Sequence, residues 1–183
     1  MRYLEVRRHT MRTKPGEHLS QAGVDLARRV GTTMGPFADV VTTRRPWAFE
    51  TAIAMGFAVD SQLAAFPPMP ADGAGAAAWD AGYAAWCRAV RQDGVAARYA
   101  HQEAACWRAI VAAVPDGASA LLVTHGGVIE AGAAACLSRE EHTRLAAGCS
   151  YCEGIRLAWD GTGWAGLEVL PVGPARPEAP LVR

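Results

Sequence analysis

Apolar and polar positions along the chain fall into short runs that suit strands, separated by longer stretches with helical spacing. Leu4-Glu5-Val6 alternates and then passes into Arg7-Arg8-His9-Thr10-Met11-Arg12, which reads as a strand delivering His9 and two or three guanidinium groups to its carboxyl end. After the Thr13-Lys14-Pro15-Gly16 turn, the stretch His18 to Val30 carries Leu19, Val24, Ala27 and Val30 as an approximate apolar stripe, with Ser20 placed as its N-cap. Gly35-Pro36 breaks this helix, and Ala38 to Thr43 is a β-branched run suited to a buried parallel strand. Pro46 then sits where a helix's first turn accepts it, and the helix is expected to run to Met55. Strand, turn and helix thus occur twice within the first third of the chain, the signature of a parallel sheet with right-handed crossovers.

From Asp60 to Ala78 the periodicity fails. Phe66 to Gly75 is rich in proline and glycine and is expected to form a surface loop that could cover a site. Alanine-rich helices are expected over Ala76–Arg91 and Val95–Val114, with Trp79, Tyr83, Trp86, Tyr99, Trp107 and Ile110 as packing anchors. Pro115-Asp116-Gly117 is a turn, and Ser119 to Thr124 is a third strand, followed by His125-Gly126-Gly127 at the start of another helix. A short helix over Arg139–Ala147 leads into Ser150–Trp159, the turn Asp160-Gly161-Thr162-Gly163, and Trp164–Leu170, a hairpin at the sheet edge. The pattern amounts to one α/β domain over residues 1–173, a three-layer α/β/α sandwich with a mostly parallel central sheet and an antiparallel edge strand. Residues 174–183 are expected to be a frayed tail.

Composition narrows the function without naming it. With 51% apolar and 20% charged residues, the chain is ordinary for a globular protein. Lysine plus arginine and aspartate plus glutamate both number 18, so no overall field favours nucleic acid or an anionic membrane, and an anion site has to be local. No run has the length of a secretory signal or a membrane span, so a cytoplasmic protein is expected. Of the five cysteines, Cys87, Cys106 and Cys136 sit in helical patterns as core filler, and Cys149-Ser-Tyr-Cys152 is a lone pair without a second pair or a spaced histidine.

The chemistry gathers at strand ends: Arg8 and His9, then Arg44 and Arg45, then His125. A parallel sheet brings such ends to one crevice. Taken singly, each basic group reads equally well as a solvated loop charge. Arginine is no metal ligand, and its charge repels a cation, so the set suits a phosphate pocket better than a metal centre.

In order and spacing these segments resemble the histidine phosphatase superfamily, the phosphoglycerate-mutase-like proteins, and among them the small branch 1 phosphatases. Arg8-His9-Thr10 occupies the place of the Arg-His-Gly motif, and Leu19-Ser20-Gln21-Ala22-Gly23 is similar to the family's helix start. Val40 to Ala52 resembles the second motif, and Val123-Thr124-His125-Gly126-Gly127-Val128-Ile129 is nearly the late one. The resemblance implies a phosphatase acting on a small phosphomonoester through a phosphohistidine on His9, with Arg8 and His125 completing the catalytic set. It further implies no metal or organic cofactor. Arg8, Arg12, Arg44 and Gly126 are expected to bind the phosphate, with Arg12 matching an extra arginine of the acid-phosphatase branch.

In register, the second-motif arginine falls on Trp47, and the usual acid falls near Leu63-Ala64-Ala65, where no carboxylate stands. Arg44, one helical turn before Trp47, is expected to supply that charge, and Asp72, Asp80 and Glu103 are the candidate acids. The alternative implied by these departures is a catalytically impaired relative that binds a phosphorylated ligand or partner. The expected partners are a small phosphorylated substrate or phosphate, with no nucleic acid and no membrane, and a second copy of the chain through the exposed hairpin edge.

Overall fold

The structure is a computed structural model that describes residues 1–63, 82–138, 142 and 148–173. Outside the described residues lie Trp79, Asp72 and Asp80, the loop from residue 64 on, the first residues of the Ala76–Arg91 helix, the Arg139–Ala147 helix apart from His142, and residues 174–183.

Among the described residues, six strands and five helices follow one another as β1 (Arg2–Arg8), α1 (Gln21–Gly31), β2 (Asp39–Thr43), α2 (Pro46–Ala54), β3 (Ser61–Leu63), α3 (Gly82–Val90), α4 (Val95–Ala113), β4 (Ser119–Thr124), α5 (Gly126–Cys136), β5 (Gly154–Trp159) and β6 (Trp164–Leu170). The sheet order is β3-β2-β4-β1-β5-β6. β3, β2, β4 and β1 run parallel, while β5 pairs antiparallel with both β1 and β6. The antiparallel strand therefore lies one in from the hairpin edge. Among the described residues no helix is long and apolar enough to cross a membrane.

β3 corrects the expectation of an irregular segment beginning at Asp60. It is three residues long and mostly exposed, and it joins the sheet through backbone pairing with β2, so its side chains carry no alternation to read. Asp60 fixes its start, donating from its amide to the Val40 carbonyl and accepting the Val40 amide on its carboxylate.

Alternation along the inner strands builds the three layers. Leu4, Val6, Val41, Ala120 and Leu122 pack with Trp107, Ile110 and Val111 of α4 and Ile129 and Ala133 of α5. Residues of opposite parity, Val40, Leu121 and Val123, pack with Ala48 and Ala52 of α2. Fully burying each such Val, Leu or Ile side chain contributes about 1.5–3 kcal/mol, which makes this pair of faces the main source of stability. Tyr83, Trp86, Tyr99, Trp107 and Ile110 are buried as the helical spacing predicts.

α1 begins as expected, with Ser20 Oγ accepting the Gly23 amide. Its first turn is seated on the Met11 carbonyl, which accepts from the Ser20 amide, and a Cβ on Gly23 would stand 2.1 Å from that carbonyl oxygen. Gly23→Ala therefore has to push α1 off the segment that carries Arg12. A loss of about 1–3 kcal/mol is expected, read as a lower urea midpoint at unchanged slope.

Candidate active site

β2, β4 and β1 are neighbours, so their carboxyl ends open on one crevice. β1 ends in Arg8 and hands the chain to His9, whose amide donates to the Thr124 carbonyl at the end of β4. The Arg8 amide donates to Glu153, and its carbonyl accepts from the Cys152 amide. The backbone around His9 is thereby fixed from both sides. Arg8, His9, His125, Gly126, Gly127, Glu130, Gly148, Cys149 and Ser150 line a cavity of about 620 Å³.

The two imidazoles meet edge to face with ring centroids 5.3 Å apart. Trp47 and Tyr151 flank His9, at 6.0 and 5.9 Å. His9 Nδ1 lies 2.7 Å from the Thr10 carbonyl oxygen. A carbonyl only accepts, so Nδ1 carries the proton and Nε2 keeps its lone pair. Burial holds His9 down to about 4, assisted by Arg8 and Arg12 against the opposing Thr10 hydrogen bond. Burial, His9, Arg45 and Arg8 together hold His125 down to about 3. Both rings are neutral at pH 7.

Arg8 Nη1 donates to the Cys149 carbonyl at 2.5 Å, and its guanidinium carbon stands 4.7 Å from the Tyr151 ring centroid. The guanidinium also lies against Gly126, where a Cβ would come within 3.1 Å of it. Glycine at this position lets the charge sit beside the first amides of α5, whose N–H groups have no partner within the helix. Gly126 thus stands where an anion would meet both the helix end and Arg8.

Thr10, in the place of a glycine, does not enter the cavity. It is fully buried and donates from Oγ1 to the Gly23 carbonyl, while its amide donates to Thr51 Oγ1, so it binds the strand end to α1 and α2. Arg12 donates to the Gly16 carbonyl at 2.6 Å and stands 4.8 Å from the Trp47 ring centroid. On Trp47 the second guanidinium is Arg45, at 5.5 Å; Arg44 and Arg45 are both exposed. Arg45 is the N-cap of α2 and has extended backbone.

Among the candidate acids, Glu103 does not line the cavity. It lies on the buried face of α4 beside Tyr99, and burial pushes its carboxyl up to about 8. Among the described residues Glu130 is the carboxylate that lines the cavity, with Oε1 accepting the Cys149 amide at 2.9 Å. It was legible as the one charge in the apolar helix Gly126–Cys136. Tyr151 gives no comparable signal, since it stands in a turn where an aromatic side chain follows no period. Cys149 and Cys152 are free and buried, and burial pushes Cys149 up to about 12, which leaves it a poor thiolate.

The depressed histidines have a consequence for stability. Unfolded imidazoles take a proton near 6.5, whereas the folded rings do so only near 4 and 3. Between these values the unfolded chain binds more protons, so stability falls as the pH drops from about 6.5 towards 4. His18 acts in the opposite sense. Glu50 raises it, so its contribution is complete below 6.5 and is lost as the pH rises through its raised value; its side chain is 78% exposed, which keeps the effect small. In urea titrations, the midpoint of the parent protein is expected to fall over that acid window more steeply than that of a His9→Ala/His125→Ala double variant. Equal slopes would contradict the burial of the two rings.

No family model matches the sequence, and no curated protein matches it. Solved structures do match. A phosphoserine phosphatase from Entamoeba histolytica in complex with 3-phosphoglyceric acid aligns with a TM-score of 0.67 at 12% identity, over 93% of this chain and 98% of that one. A mycobacterial glucosyl-3-phosphoglycerate phosphatase in complex with VO3 aligns at 0.60 and 22% identity, over 94% and 100%. A phosphoglycerate mutase from Bacillus anthracis aligns at 0.64 and 14% identity, over 92% of each chain. The chain has the phosphoglycerate-mutase-like fold that these proteins share.

Proposed function

We propose that this chain is a phosphomonoester hydrolase of the histidine phosphatase superfamily that works through a phosphohistidine on His9. The observation that carries the reading is the pairing of a neutral, backbone-locked His9, whose Nε2 lone pair is available, with Arg8 and the open α5 amides beside it. In the first step the His9 Nε2 lone pair forms the N–P bond while the P–O bond to the leaving alcohol breaks, and the departing oxygen takes up a proton from solvent water. In the second step water attacks phosphorus, the N–P bond breaks, and inorganic phosphate leaves. In both steps charge is spread over the non-bridging oxygens, and Arg8, the Gly126 and Gly127 amides and His125 supply donors already in place. Arg12 and Arg45, gathered on Trp47, add positive charge that acts on His9 and His125.

Hydrolysis of p-nitrophenyl phosphate and of a panel of phosphorylated metabolites, from mildly acidic to neutral pH, tests the reading. Turnover is expected, together with an alkali-stable, acid-labile phosphoenzyme in quenched samples. Phosphate-dependent thermal stabilisation without any turnover would replace it with the binding role.

A further inference from the structure

Trp47 stands where the resemblance calls for an arginine, and its indole lies against both imidazoles at 6.0 Å between ring centroids. Its Nε1 is 3.4 Å from His125 Nδ1, and Thr43 Oγ1 is 3.2 Å from His125 Nε2. We propose that Trp47 is a positioning residue for His125, capping Nδ1 with its indole N–H so that the imidazole has one accessible state, neutral with its proton on Nε2.

The argument turns on donor and acceptor inventory. An indole nitrogen only donates, so His125 Nδ1 must accept, and the ring proton is on Nε2, where Thr43 Oγ1 receives it. Protonating Nδ1 as well would set N–H against N–H in a half-buried site, and the cap would have to break. The surrounding groups act in the same direction. Arg8 and His9 face His125 from the end of β1 and Arg45 faces it from the head of α2, while Glu130 lies further along its own helix and lines the same cavity. The indole itself is held in place. Thr51 Oγ1 donates to the Trp47 carbonyl at 2.6 Å and accepts the Thr10 amide, which ties Trp47 to the residue after His9. Arg12 and Arg45 stand against the ring, a cation–π arrangement that keeps both charges beside the indole.

When a phosphoryl oxygen is bound, the one donor that a neutral His125 offers it is the Nε2–H, which it shares with Thr43 Oγ1. This consequence rests on the hydrolase reading; the tautomer does not.

Nitrogen-15 histidine spectra of the full chain, with His125 identified by its loss in His125→Gln, read the tautomer directly. The parent protein is expected to show His125 as the neutral Nε2–H form throughout about pH 5 to 8. In spectra extended to about pH 3, Trp47→Phe, which keeps a ring but loses the donor, is expected to show a His125 midpoint raised by about one unit above the parent's value of about 3. An Nδ1–H tautomer in the parent protein, or the same His125 titration in Trp47→Phe, would overturn the proposal. Should Trp47→Phe fail to fold, the parent spectrum decides alone. Absence of hydrolysis with the Nε2–H form intact would count against the hydrolase reading and leave the role of Trp47 standing.

Discussion

Replacing His9 by alanine is expected to lower p-nitrophenyl phosphate hydrolysis by on the order of 10⁴-fold or more, the scale on which deleting a covalent nucleophile acts. The geometry makes this a clean experiment. The His9 side chain hydrogen-bonds only to the next residue's carbonyl, while its backbone is held independently by the Thr124 carbonyl. Removing the ring therefore leaves the strand end, the Arg8 contact to the Cys149 carbonyl and the open α5 amides in place. Binding of phosphate or vanadate is expected to persist in His9→Ala within about tenfold, so that kcat collapses while the ligand dissociation constant hardly moves. The acid-labile phosphoenzyme is expected to vanish with it. Because His9 is neutral down to about 4, the parent rate is not expected to fall through titration of the nucleophile anywhere between pH 5 and 8. A His9→Ala protein that keeps its rate within tenfold would remove the phosphohistidine mechanism.

The parts of this site that were legible in the sequence are those fixed by strand ends. A buried strand must stop somewhere, and a histidine or arginine placed just after the last apolar residue is delivered to the crevice by the sheet itself, as for Arg8, His9 and His125. Helix starts were legible for a similar reason, since Ser20 and Pro46 are chemically specific to that position. What stayed hidden depends on direction rather than spacing. Arg44 and Arg45 are adjacent in sequence, and spacing alone does not tell that Arg45 stands over the Trp47 ring. Thr10 looks disruptive in place of glycine until its side chain is seen to turn onto α1 and its amide onto Thr51 of α2. β3 carries no pattern because edge pairing uses backbone, and Glu103 resembles any other helical carboxylate until α4 is seen to bury it.

Glu5→Ala is expected to cost about 3–5 kcal/mol, because it leaves a buried charge without its counter-ion. Glu5 faces the α1/α2 side of β1 and is 1% exposed, with Arg7 Nε on one oxygen at 2.8 Å and Arg156 Nη2 on the other at 2.9 Å. Arg7 is itself buried and reaches on to the carbonyls of Cys152 and Leu170. With the carboxylate gone, the Arg7 guanidinium keeps those carbonyls but loses the only anion that justifies burying it. On a chain of this size, such a loss corresponds to a fall of roughly 10 °C in Tm, and a urea midpoint shift at constant slope would confirm that the native contacts rather than the unfolded state had changed. Replacing Glu5 and Arg7 together by leucine and methionine removes both buried charges and is expected to recover most of the loss. The two variants should differ in activity as well. Arg7 holds the Cys152 carbonyl, the Cys152 amide holds Arg8, and the same turn carries Cys149 and Tyr151 against the Arg8 guanidinium. The double variant should therefore lower kcat at temperatures where it is folded, because the turn that aims Arg8 loses its Arg7 anchor, whereas Glu5→Ala keeps that anchor and its rate while folded. Full activity in the double variant would show that the network supports the sheet alone and that the Arg8 geometry is set entirely by β1 and α5.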